Sequence, residues 1–130
     1  MSQIPLNKTR ILVIDDSEEL LEVFKFIFEK QGYEIITKKT VTGIAAFVSN
    51  NIIDILILDV RINEIDGRHI CKELKSSPLT NYFSIVLMSA SPEYLVDFEE
   101  CNADDFIEKP FDINKVIVKI NSLVAKKTTS

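Results

Sequence analysis

Short runs of apolar residues alternate along the chain with longer segments whose apolar residues recur at a helical spacing. Five of the runs predict strands, at residues 10–14, 33–37, 54–59, 85–88 and 106–107. Apart from the mixed run at 33–37, they are continuous rather than alternating, which is typical of strands covered on both faces, as in a parallel sheet. The mixed run indicates a more exposed strand.

The segments between these runs predict five helices. They span residues 17–31, 43–50 and 67–76, with a fourth beginning at Ser91–Pro92 and a fifth at Asp112. Ser91 is typical of a helix N-cap and Pro92 of the first helical position. Gly32 stands where the first helix needs a C-terminal cap. In the fifth helix the apolar residues follow a period of about 3.6 residues, which predicts a single apolar face.

Strand and helix thus alternate five times within 130 residues. This alternation predicts an α/β fold with right-handed crossovers, in which helices cover both faces of a parallel sheet. The class that fits is flavodoxin-like, a (βα)5 doubly wound parallel five-stranded sheet, and that class implies the strand order 2-1-3-4-5. We expect a single domain over residues 1–130, with a core at about 8–125 and short flexible tails.

Composition narrows the classes of function. The net charge is −5 and the basic residues are scattered, which argues against direct binding to nucleic acid. No apolar run is long enough to span a membrane, and the polar first residues do not resemble a signal peptide, so we expect a cytoplasmic protein. Cys71 and Cys101 are expected to be reduced, partly buried thiols. With His69 as the only histidine, a zinc site is not expected.

Polar residues stand where four of the five predicted strands stop. Asp15 and Asp16 follow the first strand, Asp59 ends the third, Ser89 follows the fourth and Lys109 follows the fifth. Folds of this class bind ligands at the carboxyl ends of their strands. Carboxylates that repel one another there are relieved by a hard divalent cation such as Mg²⁺. With a lysine and a serine available for phosphate oxygens, the set predicts an aspartate nucleophile in phosphoryl transfer.

Each of these residues has a simpler interpretation on its own. Asp15 or Asp16 could serve only as the N-cap of the first helix. Lys109 could be solvated surface, and Ser89 a turn residue. The prediction of a site therefore depends on their combination.

Several stretches of the sequence resemble the response-regulator receiver domains of bacterial two-component systems, the chemotaxis regulators among them. These stretches are Ile11–Ser17, Leu58–Asp59 with Asp66–Gly67, Met88–Ala90 and Ala103–Phe111, and the resemblance extends over about residues 8–125.

The resemblance implies a role for each residue at the strand ends. Asp59 would be the phosphoacceptor. Asp16 and Asp59 would bind Mg²⁺ together with the backbone carbonyl of Arg61, and Asp15 would act mainly through a metal-bound water. Lys109 would contact the phosphoryl group, and the Lys109–Pro110 peptide bond would be cis.

The resemblance also implies a conformational switch. Ser89 would turn toward the phosphoryl group, and Phe106 would rotate inward into the space that Ser89 leaves. The surface that changes would be formed by the fourth helix, the fifth strand and the fifth helix. Tyr94 and Phe98 are candidate partner contacts on that helix, with packing into the core as the alternative for one of them.

Several positions depart from the family pattern. Phe106 stands where tyrosine is frequent, Asn63 where proline is common, and Asn102 where glycine usually ends the fourth helix. Asparagine tolerates the left-handed conformation better than most residues, so the cap at Asn102 is expected to survive. The segment from Ser89 to Lys109 is shorter than is usual, which leaves the length of the fourth helix open.

Partners follow from what the chain lacks. Three glycines cannot form a phosphate-binding loop for a nucleotide. The phosphoryl donor is therefore expected to be external, a phosphohistidine protein or a small acyl phosphate. The resemblance implies that the protein donor is a histidine kinase or a histidine phosphotransfer protein. His69 is expected to be a surface residue. Output would be docking to a downstream protein, by a monomer or weak dimer, without enzymatic turnover.

Two alternatives remain open. A small Mg²⁺ phosphatase of the haloacid-dehalogenase type also uses a strand-end aspartate and a lysine. That class needs a second acid two residues after the nucleophile, and Arg61 stands there instead. The other alternative is a receiver-like adaptor that is never phosphorylated.

Overall fold

The computed structural model describes residues 8–96 and 98–129, with side chains described as far as residue 126. Its strands are β1 (Arg10–Ile14), β2 (Glu34–Lys38), β3 (Ile55–Asp59), β4 (Arg61–Ile62), β5 (Ile65–Asp66), β6 (Ser84–Ser89) and β7 (Asp105–Glu108). Its α-helices are α1 (Glu18–Lys30), α2 (Ile44–Asn50), α3 (Gly67–Lys75) and α4 (Ile113–Thr129). Within these ranges, no helix has the length and apolar character needed to cross a membrane.

The main sheet has five strands in the order β2-β1-β3-β6-β7, and every neighbouring pair is parallel. Counting only these five strands along the chain, the order is 2-1-3-4-5. The flavodoxin-like class and its strand order are therefore confirmed. Backbone hydrogen bonds continue past the paired residues: Val60 N–H donates to the Met88 carbonyl at 2.8 Å and Lys109 N–H to the Ser89 carbonyl at 2.8 Å. The sheet register thus also sets the positions of the residues just beyond the strand ends.

Both faces of the sheet are covered. Along β1, Leu12 and Ile14 belong to one buried cluster, whereas Ile11 and Val13 belong to the other. All four side chains are fully buried. A strand whose successive side chains are buried on opposite faces must be apolar throughout, which explains the continuous runs in the sequence.

The first helix begins at Glu18, one residue later than it would begin if Asp16 were its N-cap. Ser17 occupies the N-cap position, and its hydroxyl accepts a hydrogen bond from Leu20 N–H at 3.2 Å. Asp15 instead accepts from Ser17 N–H at 2.8 Å. The simpler interpretation of Asp15 or Asp16 as the helix cap is therefore wrong, and both carboxylates precede the helix.

The prediction of a fourth α-helix beginning at Ser91–Pro92 is wrong. The described residues between β6 and β7 contain no α-helix but two 3₁₀ helices, Pro92–Tyr94 and Phe98–Cys101, with residue 97 outside the description. Ser91 stands at the N-cap but makes no side-chain capping bond. A 3₁₀ helix rises about 2.0 Å per residue against about 1.5 Å for an α-helix, so fewer residues cover the same return path. This suits the shortened segment.

The segment between β6 and β7, called here the 3₁₀ segment (residues 90–104), packs against α3. The Cys71 thiol donates to the Cys101 carbonyl at 3.3 Å, and both cysteines are buried and free, rather than partly buried as predicted. Tyr94 lies under the Arg68 guanidinium, 4.7 Å from carbon to ring centroid. Asn102 has a φ of +67°, which confirms the expected left-handed cap.

A hairpin that the sequence did not predict follows β3. Strands β4 and β5 pair antiparallel, Arg61 opposite Asp66, through a two-residue turn at Asn63 and Glu64. Both turn residues have positive φ, +50° and +66°, as a type I′ turn requires. The Asn63 side-chain amide donates to the Lys39 carbonyl at 3.0 Å, which ties the hairpin tip to the loop after β2.

Gly67 gives the first testable expectation. A Cβ at this position would lie 2.3 Å from the backbone oxygen of Asp59. Gly67→Ala is therefore expected to lower the free energy of unfolding by about 1–3 kcal/mol, because the clash is with backbone that must move. Urea unfolding measures the loss, and the amide resonances of Asp59 and Val60 are expected to shift.

Gly32→Ala is the matched control. Gly32 has a φ of +90°, but a Cβ added there would meet no atom within 4 Å. The alanine is expected to cost roughly 1–2 kcal/mol through backbone strain alone, with the Asp59 resonance unmoved. An Asp59 amide that responds equally to both substitutions would contradict the close approach of Gly67 to the Asp59 backbone.

Candidate functional site

The site lies at the carboxyl edge of the main sheet, where β1, β3, β6 and β7 end side by side. Asp15 and Asp16 follow β1, Asp59 is the last residue of β3, Ser89 is the last of β6 and Lys109 follows β7. The structure therefore brings together the side chains of Asp15, Asp16, Asp59 and Lys109. It places Ser89 at the end of the neighbouring strand, where its side chain contacts Ser91.

The three carboxylates are close enough to share a cation. Asp15, Asp16 and Asp59 each offer an oxygen, and these oxygens lie within 4.8 Å of one another. Asp15 and Asp59 are buried, whereas Asp16 is exposed. Carboxylate oxygens on a partly open rim fit a hard cation such as Mg²⁺, which prefers oxygen ligands and retains several waters. The donor set thus supports a metal site in chemical type and spacing.

Lys109 joins the two buried carboxylates. Its Nζ lies 2.9 Å from Asp15 Oδ2 and 3.4 Å from Asp59 Oδ2. Its side chain is 23% exposed, so the ammonium is partly shielded from water while a path to solvent remains. The Lys109–Pro110 peptide bond is cis, as the resemblance implied.

The charges in this cluster shift one another's titration. Burial, followed by the negative charge of Asp15, raises the pKa of Asp59 to about 6, against the opposing effects of Lys109 and the Arg61 N–H. For Lys109 burial acts to lower the pKa, but the hydrogen bond to Asp15 and the charge of Asp59 outweigh it and raise the pKa. The ammonium therefore stays charged, while Asp59 carries a charge that its surroundings only partly compensate.

The loop after Asp59 contributes backbone to the site. Arg61 N–H donates to Asp59 Oδ1 at 3.4 Å, and the Arg61 side chain is exposed. Arg61 is the first residue of β4, so the hairpin fixes the backbone of Arg61 and with it the carbonyl that the resemblance assigned to the metal.

Ser89 and Phe106 have partners other than Asp59. Ser89 Oγ accepts from Ser91 N–H at 3.0 Å and donates weakly to the Ser91 carbonyl at 3.4 Å. The Phe106 ring is partly buried, 5.1 Å from the Phe98 ring centroid to centroid. Tyr94 and Phe98 are also partly buried against the core, so neither is a freely exposed contact residue.

Sequence reasoning missed Lys119. Its Nζ lies 4.0 Å from the centroid of the Phe106 ring and 3.3 Å from Asp105 Oδ1, and it donates to the Phe106 carbonyl. A signal was available, because Lys119 stands three residues after Val116 and one before Ile120, both of which are buried. A charged residue within the apolar stripe of a helix needs a partner.

The comparisons with known proteins agree on the family. The model of the response regulator receiver domain family matches residues 11–121. Response regulator SaeR of Staphylococcus aureus is 28% identical over 118 residues, which are 91% of this chain and 51% of SaeR. The chain therefore spans about half the length of the curated relatives it matches.

Solved structures show the same fold. The signal receiver domain of a signal transduction histidine kinase from Syntrophus aciditrophicus is 30% identical, with a TM-score of 0.81 and 91% of each chain covered. The chemotaxis response regulator CheY4 of Vibrio cholerae superposes with a TM-score of 0.80 at 19% identity, covering 90% of this chain and 99% of CheY4. The fold, the acidic edge of the sheet and the match over residues 11–121 lead to one conclusion: the chain belongs to the response-regulator receiver domain family.

Proposed function

We propose that this receiver accepts a phosphoryl group on Asp59 in a Mg²⁺-dependent reaction and transmits the event to a partner protein as a change of shape. The observation that carries the proposal is the position of Lys109, whose ammonium lies between the buried carboxylates of Asp15 and Asp59. A lysine held there can neutralise charge that develops on phosphoryl oxygens next to Asp59. The carboxylate cluster supplies the complementary cation site.

The reaction is a transfer between two nucleophiles. An Asp59 carboxylate oxygen attacks phosphorus, and the bond from phosphorus to the donor breaks, with its electron pair returning to the donor. The donor is a phosphohistidine on a histidine kinase or a histidine phosphotransfer protein, or a small acyl phosphate. Lys109 then binds a phosphoryl oxygen, since it already lies 3.4 Å from Asp59 Oδ2.

Mg²⁺ would be held by Asp16, Asp59 and the Arg61 carbonyl, with Asp15 acting through a water. When bound, it neutralises phosphoryl charge and orients the group for in-line attack. The residues of this chain supply the remaining steps: Asp59 provides the nucleophile, Asp15 orients Lys109 at 2.9 Å, and the hairpin holds the Arg61 backbone.

The readout begins at Ser89. Phosphorylation would give its hydroxyl a charged acceptor, stronger than the Ser91 carbonyl to which it donates here. Phe106 would then move into the vacated space and change the surface formed by the 3₁₀ segment, β7 and α4. Such a change biases an equilibrium between two arrangements rather than creating a new one.

The remaining features of the proposal follow the family. The chain would act as a single domain over residues 1–130, in the cytoplasm, as a monomer or weak dimer, and would signal by docking to a downstream protein rather than to nucleic acid. Its only chemistry would be its own phosphorylation and dephosphorylation. The exposed Arg61, where a dehalogenase-type phosphatase needs an acid, supports a switch over an enzyme with turnover.

Acetyl phosphate with Mg²⁺ tests the acceptor. The wild-type protein is expected to gain the mass of one phosphoryl group, and Asp59→Asn to gain none. Asp54→Asn is the matched control. Asp54 immediately precedes the first residue of β3, at the end of the strand opposite to Asp59, and its carboxylate accepts a hydrogen bond from Arg10 N–H at 2.8 Å. The control is expected to be phosphorylated like the wild type.

Other outcomes of that experiment favour the alternatives. A wild-type protein that stays unmodified and behaves like Asp59→Asn would favour an adaptor that is never phosphorylated. Sustained release of phosphate from an ester over many turnovers would favour a phosphatase.

Ser89→Ala separates acceptance from readout. The phosphoryl mass gain is expected to remain, because the nucleophile, the lysine and the metal ligands are intact. The resonances of Phe106 and the 3₁₀ segment, which shift in the phosphorylated wild type, are expected to stay near their unphosphorylated positions. NMR of both proteins with beryllofluoride as a phosphoryl mimic measures this. A full set of shifts in the alanine variant would remove Ser89 from the readout.

The charge on Asp59 makes stability depend on pH in the absence of metal. The folded-state pKa of about 6 lies above the ordinary 3.8, so the folded state binds the extra proton more tightly. The stability that this proton contributes is complete below the ordinary pKa of 3.8 and is lost as pH rises through the folded-state pKa of about 6. Asp59→Asn has no carboxyl group to titrate at this position, so it does not lose this stability. In the presence of a chelator, the free energy of unfolding of Asp59→Asn relative to that of the wild type is therefore expected to rise by about 1–3 kcal/mol between acidic and neutral pH.

Urea unfolding of both proteins at several pH values measures the advantage. Added Mg²⁺ is expected to shrink the advantage at neutral pH, because the cation stabilises the wild-type carboxylates. An advantage that stays constant across the pH range would show that Asp59 does not titrate as described.

A further inference from the structure

A contact at the free edge of the sheet joins α4 to the ring of Phe106. Strand β7 is the last strand of the sheet. Phe106 packs on the face that holds the 3₁₀ segment, whereas Val116 and Ile120 of α4 pack on the opposite face. Lys119 comes from α4 and places its Nζ 4.0 Å from the Phe106 ring centroid. Its side chain therefore reaches around the edge from one face to the other.

The ammonium of Lys119 has further partners at that edge. It donates to the Phe106 carbonyl and lies 3.3 Å from Asp105 Oδ1. Its side chain is 32% exposed, and an open cavity of about 420 Å³ lies beside it, lined also by Phe106 and Lys115. One backbone acceptor and one side-chain acceptor hold the ammonium in place, so that the ring contacts a fixed cation rather than a mobile one.

We propose that Lys119 is a positioning residue of the switch, which holds the Phe106 ring at the edge of the sheet and so favours the arrangement seen here. The proposal rests on the proposed function, in which Phe106 moves inward after phosphorylation of Asp59. A cation over the face of an aromatic ring is attracted by the ring quadrupole. An inward-moving ring leaves the ammonium, which stays bound to Asp105 and the Phe106 carbonyl.

The ring of Phe106 carries no hydroxyl, so hydrogen bonding of the ring cannot distinguish the two arrangements. Besides its packing against the buried core, the ring contacts the Phe98 ring on the 3₁₀ segment and the Lys119 ammonium from α4. A contact made in only one arrangement shifts the equilibrium by its own strength. Removing the Lys119 charge would therefore make activation easier while leaving the chemistry at Asp59 alone.

The test uses the full chain labelled with 4-fluorophenylalanine, and Mg²⁺ with beryllofluoride as the probe. Phe106→Leu identifies the Phe106 fluorine resonance. In Lys119→Gln this resonance is expected to move, without beryllofluoride, toward its position in the activated wild type. The beryllofluoride concentration at half saturation is expected to fall by about two- to tenfold, as the loss of one cation–π contact implies.

Two control variants separate the ring contact from the other contacts of Lys119. Lys115→Gln removes a charge one helical turn earlier, beside the same cavity. Asp105→Asn removes the negative charge of the ion pair but keeps an Oδ1 acceptor, which together with the Phe106 carbonyl holds the ammonium over the ring. Both are expected to match the wild type in half-saturation and in the Phe106 resonance. A change in Asp105→Asn as large as that in Lys119→Gln would overturn the proposal in favour of the ion pair.

A double substitution completes the test. In the Phe106→Leu background, Lys119→Gln is expected to leave half-saturation unchanged, because no ring remains to be held. An unchanged half-saturation in Lys119→Gln alone, or an equal effect in the leucine background, would overturn the proposal. Absence of Asp59-dependent beryllofluoride binding in the wild type would overturn the proposed function, and this proposal with it.

Discussion

The structure depends on holding two buried carboxylates, Asp15 and Asp59, beside one ammonium. Burying carboxylates side by side is unfavourable unless a positive charge accompanies them. Lys109, which follows β7, supplies that charge; its Nζ lies 2.9 Å from Asp15 Oδ2 and 3.4 Å from Asp59 Oδ2. Its place is set by the backbone hydrogen bond from Lys109 to Ser89, which extends the sheet register. The order of the strands thus determines whether the charges meet.

The main features of the fold and site could be predicted because they follow from burial. A strand covered on both faces must be apolar along its length, so the point where the apolar run stops marks the edge of the sheet. Asp15, Asp59 and Ser89 each stand at such a point; the structure places the two carboxylates together and Ser89 at the end of the next strand. The strand order was taken from the known order of the fold class and did not come from the residues themselves.

What the sequence did not predict is governed by local geometry and by distant contacts. The hairpin turn has positive φ at Asn63 and Glu64, and glutamate gives no signal for that conformation. The fourth helix was predicted from Ser91 and Pro92, a capping pattern that a 3₁₀ turn can equally follow. Lys119 meets Phe106 only because the chain folds around the edge of the sheet, a contact that helical periodicity alone does not reveal.

The free edge of β7 has a consequence beyond signalling. An edge strand presents unpaired backbone groups that can pair with a strand of another molecule, and natural proteins protect such edges with charged side chains, lysine above all. Here Lys119 donates to the Phe106 carbonyl and lies across that edge. The same side chain therefore occupies a backbone acceptor at that edge, and a partner that adds a strand to β7 must first displace it.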